Sequence, residues 1–270
     1  MDENKKAFQA GIAYTIASFL VAGMGFITTP IYTRILSVDE YGAFNNFTAW
    51  VGILTVIITL KLSASFISAR FDYKEKFDNY IFSIMTLNVI VAVLFALILN
   101  CFIGFFERIF ALNRLFINLM VAYILFYEIV CIYQSREQFS FRYKNAVLLS
   151  LFLTISTTVI SIFFVMQFKD KLTARIVGYV VSAIVVGGII YAKFFMKIRA
   201  VDLKYWKYAI PITIPYIPHS LSLILLNSMD KIMIIKMWGE TENGLYSLAY
   251  TCSSLVTVLM SSVNNAYSPW

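Results

Sequence analysis

Apolar stretches of twenty or more residues recur along the whole chain, separated by short segments rich in charged and turn-forming residues. Twenty residues of α-helix rise about 30 Å, the depth of a bilayer's hydrocarbon core, so each run is long enough to cross a membrane once. Lipid cannot satisfy an open backbone, and the runs lack the strict alternation of barrel strands, so the spans are read as helices. They fall near 11–36, 42–67, 80–106, 115–134, 146–168, 174–195, 209–238 and 244–268. The expected fold class is therefore all-α membrane, a polytopic helical bundle. Composition agrees: only 14% of residues are charged, against about 25% in soluble domains.

The charge pattern separates membrane topology from nucleic-acid binding. The net charge is +7, but Lys and Arg sit in short clusters between apolar runs, as loops at an anionic leaflet do, so no nucleic-acid partner is expected. The N-terminus and segments 69–79, 134–145 and 193–207 carry 13 of the 22 basic residues. Eight lie on the opposite side, with Arg34, Lys231 and Lys236 near or within helices, and Lys61 stands near the inner end of span two. The positive-inside rule then places the N-terminus in the cytoplasm. The first apolar run is too long for a signal-peptide core and is read as a retained span. Cys101, Cys131 and Cys252 show no metal-ligand spacing and are read as small core residues, with no cofactor and no metal.

An internal repeat organises the spans. Shifting the chain by 202 residues lays Ile31–Phe47 on Met233–Ala249, so that Arg34 falls on Lys236, Gly42 on Gly244 and Phe44 on Tyr246. The shared element is a cation, a turn ending in Gly, and an aromatic opening the next helix. Six helices separate the copies, which makes them parallel repeats of six-helix bundles. The expected organisation is a six-helix transmembrane bundle over 1–195, a cytoplasmic interfacial linker over 196–208 with Asp202 capping a short helix, and the first two helices of a second bundle over 209–270. The second bundle would need about four more spans, so the chain is read as a truncated one.

Transport chemistry needs polar groups hidden from lipid. Small and polar residues stripe span one (Gly11, Thr15, Ser18, Ala22, Gly25, Thr29), span two (Asn45, Ala49, Gly52, Val56, Thr59, Ser63) and span eight (Ser247, Thr251, Ser254, Val258, Ser261, Asn265, Ser268). Close helix packing explains the first of these best, and a watery lumen the last. Span seven carries Pro211, Pro215 and Pro218 within eight residues, followed by His219, Asn227, Asp230 and Lys231. Such a helix should be bent, as a hinge or as a static kink. Asp230 and Lys231 fit a structural ion pair as well as a substrate contact, and Arg34 and Lys236 fit snorkelling to the surface as well as a cavity lining. Glu128 is the other clearly embedded carboxylate. Cations thus outnumber carboxylates among the embedded groups, which favours an anionic substrate.

At Thr29-Pro30-Ile31-Tyr32-Thr33-Arg34, Glu40-Tyr41-Gly42, Ile217-Pro218-His219-Ser220, Asn227-Ser228-Met229-Asp230-Lys231 and Gly244-Leu245-Tyr246-Ser247, the chain resembles the polysaccharide flippases. These are the O-antigen (Wzx-type) branch of the superfamily that includes multidrug and toxic-compound extrusion antiporters. Asn264-Asn265-Ala266 with Pro269 resembles that branch's ending of span eight. The resemblance implies a multi-pass protein of the bacterial inner membrane with twelve to fourteen helices in two bundles around a cavity. It implies transport, without catalysis, of undecaprenyl-pyrophosphate-linked oligosaccharide, an O-antigen or capsule repeat unit, to the outer leaflet. Lipid-linked oligosaccharide and membrane lipid are the implied partners, with a proton or sodium as coupling ion and a polysaccharide polymerase and chain-length regulator beside it. The branch commonly has Asp-Arg where Asp230-Lys231 stand, which keeps the charge and gives up the bidentate fork. Two other readings are open: a cation-coupled drug or metabolite antiporter, which needs embedded carboxylates, and a membrane polymerase or glycosyltransferase, which needs a sizeable loop carrying ligands or carboxylates.

Overall fold

In the computed structural model, backbone is described for residues 2–140, 142–198 and 201–267, and side chains at 16–17, 19–21, 23–140, 142, 144–198 and 201–253. No strand is present among the described residues. The helices are α1 (Asp2–Ile35), α2 (Val38–Thr59), α3 (Phe66–Asp72), α4 (Phe77–Cys101), α5 (Ile103–Phe110), α6 (Arg114–Phe139), α7 (Tyr143–Gln167), α8 (Lys171–Lys197), α9 (Leu203–Thr213), α10 (Tyr216–Met237) and α11 (Glu240–Tyr267). Each of the eight expected spans maps onto one helix or a broken pair. By length and apolarity, five helices among the described residues can cross a membrane, and α9 with α10, bent by 54°, would make a sixth. The chain is a multi-pass membrane protein.

Among the described residues, side-chain caps set the starts of four helices. Ser37 and Glu40 form a reciprocal capping box at α2, with Glu40 N donating to Ser37 Oγ at 3.1 Å and Ser37 N to Glu40 Oε2 at 2.8 Å. Asn113 caps α6 and Asp170 caps α8, accepting from Phe116 N at 2.9 Å and Thr173 N at 3.0 Å. The Thr173 hydroxyl and amide together hold the Asp170 carboxyl below its usual range. Asp202 caps α9 as expected, accepting from Lys204 N at 3.0 Å.

Span two ends earlier than its apolar pattern indicates. The helix stops at Thr59, and Leu60 and Lys61 both take left-handed backbone, with φ of 49° and 50°. Left-handed non-glycine residues cost about 1 kcal/mol or more each, so tertiary packing must select them. The reversal lets a 3₁₀ turn and α3 insert Leu62, Phe66 and Ala69, all fully buried, beneath α4. Lys61 therefore stands at a break in the backbone, half-buried, instead of inside a continuous span. Two of the cysteines also depart from expectation: Cys101 and Cys252 are exposed, and only Cys131 is half-buried.

Helix α2 is central, packing against α4, α6, α8, α10 and α11, while α8 is sandwiched between α6 and α7, and α1 lies along α7. Helix α9 is fastened to the first part of the chain. Tyr205 and Ala209 enter the core with Tyr80 and Phe66, Trp206 Nε1 donates to Ser83 O at 2.9 Å, and Asp202 N donates to Ser83 Oγ at 3.2 Å. The chain then bends between Thr213 and Tyr216, with Pro215 at the break, Pro211 inside α9 and Pro218 in the first turn of α10.

The sequence repeat is realised as a physical contact. A Cβ on Gly42 would lie 1.9 Å from Glu240 O, and one on Gly244 would lie 2.3 Å from Val38 O. Both pairs are related by the same 202-residue shift, so the start of α2 and the start of α11 cross reciprocally, each offering a glycine to the other's carbonyl. Thr241 Oγ1 donates to Asp39 Oδ1, again 202 residues apart, and buried Asn243 donates to Gly42 O at 2.9 Å.

At the opposite end of the bundle, Arg136 Nε and Nη2 grip Asp78 bidentately at 2.8 Å each, and Nη1 reaches fully buried Glu137. Removing the guanidinium leaves buried Glu137 without a cation and Asp78 with only the exposed Lys197. Arg136→Met is expected to destabilise the folded protein by about 3 kcal/mol, read as a lowered thermal midpoint in detergent; an unchanged midpoint would show the cluster to be energetically idle.

Candidate substrate cavity

The capped start of α8 places Arg175 in the helix's second turn, one turn before Gly178, where α7 approaches so closely that a Cβ would sit 2.4 Å from Ser161 Cα. Arg175 Nη1 donates to Ser161 Oγ at 2.7 Å. Its guanidinium carbon lies 3.5 Å above the Tyr32 ring of α1 and 4.3 Å from the Phe44 ring of α2. Cation–π contacts of this kind strengthen when water is excluded, to about 2 kcal/mol. No carboxylate pairs with Arg175 among the described residues, and its Nε is buried without a hydrogen-bond partner. A desolvated cation lacking a counter-ion is costly, and an anionic ligand is what relieves it.

Arg175 lines a cavity of about 290 Å³ among α1, α6, α7 and α8. Four tyrosines, Tyr32, Tyr123, Tyr127 and Tyr179, form much of the wall, with Tyr123 and Tyr179 stacked at 4.6 Å between centroids. Hydroxyls come from Thr28, Ser150, Thr154, Thr157 and Thr158, and an amide from Gln134. Among the described residues the lining contains no Asp, Glu or Lys. Flat rings suit the apolar faces of a sugar, hydroxyls suit its rim, and one guanidinium suits a phosphate oxygen pair. The volume admits a fragment of such a ligand, such as one sugar ring or a phosphate group.

Gly25 of the span-one stripe lines this cavity, while the charged and polar candidates of the other spans lie elsewhere. Asn227, Asp230 and Lys231 form a polar tie between α10 and α11: Tyr246 Oη donates to Asp230 Oδ2, Tyr250 Oη donates to Asn227 Oδ1 at 3.5 Å, and Lys231 Nζ lies 4.4 Å from the Tyr250 ring. Asp230 and Lys231 meet through the Lys231 backbone N–H at 2.9 Å and form no side-chain ion pair with each other. Lys61 is half-buried just beyond the end of α2, and Glu128 is buried in α6, with no ion pair between them among the described residues. Arg34 and Lys236 are exposed in the last turns of α1 and α10, and His219 is exposed on α10. The side chain of Asn265 lies outside the described residues. The apolar run of span six opens at 174, one residue before Arg175, which sets that charge at the outer surface of the expected span. The Asp170-x-x-Thr173 capping pattern was the readable signal that the helix starts earlier and carries Arg175 inward.

Comparison with known proteins adds two positive findings. The family described as polysaccharide biosynthesis protein matches residues 8–270. Protein 1 of the Lsg locus of Haemophilus influenzae is 20% identical over 285 residues, covering 98% of this chain and 66% of that protein's length. The chain thus spans somewhat less than two thirds of this relative. No solved structure matches it.

Proposed function

Because the chain belongs to the polysaccharide biosynthesis protein family, we propose that it forms the substrate-holding part of a flippase for lipid-linked saccharide. The cargo is an undecaprenyl-pyrophosphate-linked oligosaccharide, an O-antigen or capsule repeat unit, moved from the inner to the outer leaflet of the bacterial inner membrane. The observation that carries this reading is Arg175: an intramembrane guanidinium with no carboxylate partner among the described residues, opening on a cavity of tyrosine faces and hydroxyls. An anionic head with sugars attached complements that lining, whereas a cationic drug does not. The antiporter reading needs a carboxylate in the cavity wall, and Glu128, buried in α6, is not among the described residues that line it.

Alternating access supplies the movement, with a six-helix bundle over 1–195 and the start of a second over 209–270 rocking against each other. Helix α9, docked on Tyr80 and Ser83, belongs mechanically to the first bundle, and the 54° break at Pro215 is its pivot with α10. With the N-terminus in the cytoplasm, the proposed transporter has its outer mouth at the Gly42–Gly244 crossing, and that contact is the one that shuts it. The cargo needs no chemical conversion, so the protein is a transporter and no enzyme. Lys231, over the Tyr250 ring where α10 meets α11, is proposed as a second cation that the head group meets outside the Arg175 cavity.

Deleting the gene should make lipid-linked oligosaccharide accumulate on the cytoplasmic face, scored by its protection from an externally added glycosidase or lectin. Re-expression should restore delivery, and Lys231→Glu should restore it poorly. Unchanged outward delivery in the deletion strain would rule out the flippase reading.

A further inference from the structure

A second concavity, of about 600 Å³, lies on the outside of the bundle between the ends of α6, α7 and α8 and shares no residue with the Arg175 cavity. Its α7 wall is Asn145, Leu148, Leu149 and Phe152, and its α8 wall runs from Val186 through Ile189, Ile190, Lys193 and Phe194 to Lys197. Both walls follow the three- and four-residue steps of a single helix face. Each becomes more polar toward the same end of the bundle, where α7 begins and α8 finishes. Val186 to Lys197 covers about 16 Å of helix, the depth of one leaflet's hydrocarbon layer.

The apolar part of the groove is open to lipid, with Leu148 65% and Phe152 59% exposed. Its mouth is basic. Arg136 is spent on Asp78 and Glu137, and Lys197 lies 3.3 Å from Asp78 while remaining 70% exposed. Lys193 is exposed and belongs to no ion pair among the described residues, and Arg142 and Lys144 are exposed where α7 begins. Counting Asp78 and Glu137 against Arg136, Arg142, Lys144, Lys193 and Lys197, the mouth carries a net +3.

From this gradient of apolar wall to surplus cation, we infer that the groove is a specific site for one anionic phospholipid of the surrounding bilayer. An acyl chain lies along Leu148, Phe152, Val186 and Ile189, and the phosphate sits at Lys193 and Lys197. A bound lipid of this kind clamps the ends of α7 and α8, the two helices that carry Ser161 and Arg175. The occupant is taken as a bilayer lipid and not the transported one because the groove shares no lining residue with the Arg175 cavity and opens on the surrounding lipid at Leu148 and Phe152.

The test uses the purified protein and an equimolar mixture of phosphatidylglycerol and phosphatidylethanolamine with identical acyl chains, with bound lipid counted by native mass spectrometry. Phosphatidylglycerol should be retained at least five-fold over phosphatidylethanolamine. Lys193→Glu should cut its retention about five-fold by reversing the mouth's free charge, and Ile189→Trp should do the same by filling the apolar wall with charge unchanged. Equal retention of the two lipids by the unaltered protein would overturn the inference, whatever the folding of the variants. So would phosphatidylglycerol binding that survives either substitution, or its displacement by an equimolar polyprenyl phosphate, which would assign the groove to the cargo's tail.

Discussion

Arg175→Glu is expected to abolish surface polysaccharide while the protein still accumulates in the membrane. Hydrogen bonds to a charged group contribute about 1.5–3 kcal/mol, and loss of about 3 kcal/mol lowers affinity roughly a hundredfold. Reversing the charge adds repulsion to that loss. Arg175→Lys should retain partial export, because an ammonium keeps the charge without the planar fork that matches a phosphate. Arg175→Gln separates a substrate role from a structural one. The amide can still meet Ser161 Oγ, so folding should hold while head-group recognition fails. Inorganic pyrophosphate should raise the thermal midpoint of the unaltered protein and leave that of Arg175→Gln unmoved. Wild-type glycan levels in the Glu variant at normal protein abundance would remove Arg175 from the cargo's path.

The second large effect is expected at Gly42. Even the first side-chain atom there would fall 1.9 Å from Glu240 O and 2.8 Å from the Gly244 nitrogen, and these are backbone atoms that cannot swing aside. Overpacking of this kind costs about 1–3 kcal/mol where neighbours can yield, and more where they cannot. Gly42→Leu should therefore prise α2 from α11 and reduce the population of the closed crossing ten- to a hundredfold. Ser247 reports this directly, since it is fully buried with an unpartnered hydroxyl and tolerates the small change to cysteine. In a chain whose three native cysteines are serines, Ser247→Cys should resist a membrane-impermeant maleimide, and adding Gly42→Leu should expose it. Export should fall in parallel. Equal labelling in both backgrounds would mean that the crossing does not close the mouth.

The helical spans were legible because lipid leaves so few alternatives: an apolar run of sufficient length between charges has one way to satisfy its backbone. The repeat was legible because the reciprocal crossing requires glycine at both Gly42 and Gly244, and required residues leave a mark at fixed spacing. Asp202 as a cap and the proline-marked break at Pro215 were readable for similar local reasons. Leu60 and Lys61 were not, since nothing in their own identity favours left-handed backbone. The burial of Leu62 and Phe66 beneath α4 selects it, and that is a tertiary decision. Arg175 escaped notice because one residue's depth turns on where a helix begins, and a boundary error of three residues moves a charge from loop to interior. Asp230 and Lys231 were conspicuous in sequence as intramembrane charges, yet Tyr246 and Tyr250, on another helix, decide where they point.

The reciprocal crossing also bears on ancestry. Two surfaces that each present a glycine and receive the other's carbonyl, at equivalent positions, are a single surface used twice. A chain carrying only one copy of the motif could make this contact with a second molecule of its own kind, so a symmetric pair of half-length proteins is a sufficient precursor. In a single chain that carries both copies, the two glycines are the positions this contact holds fixed, whereas Arg34 and Lys236, exposed in the last turns of α1 and α10, are free to differ.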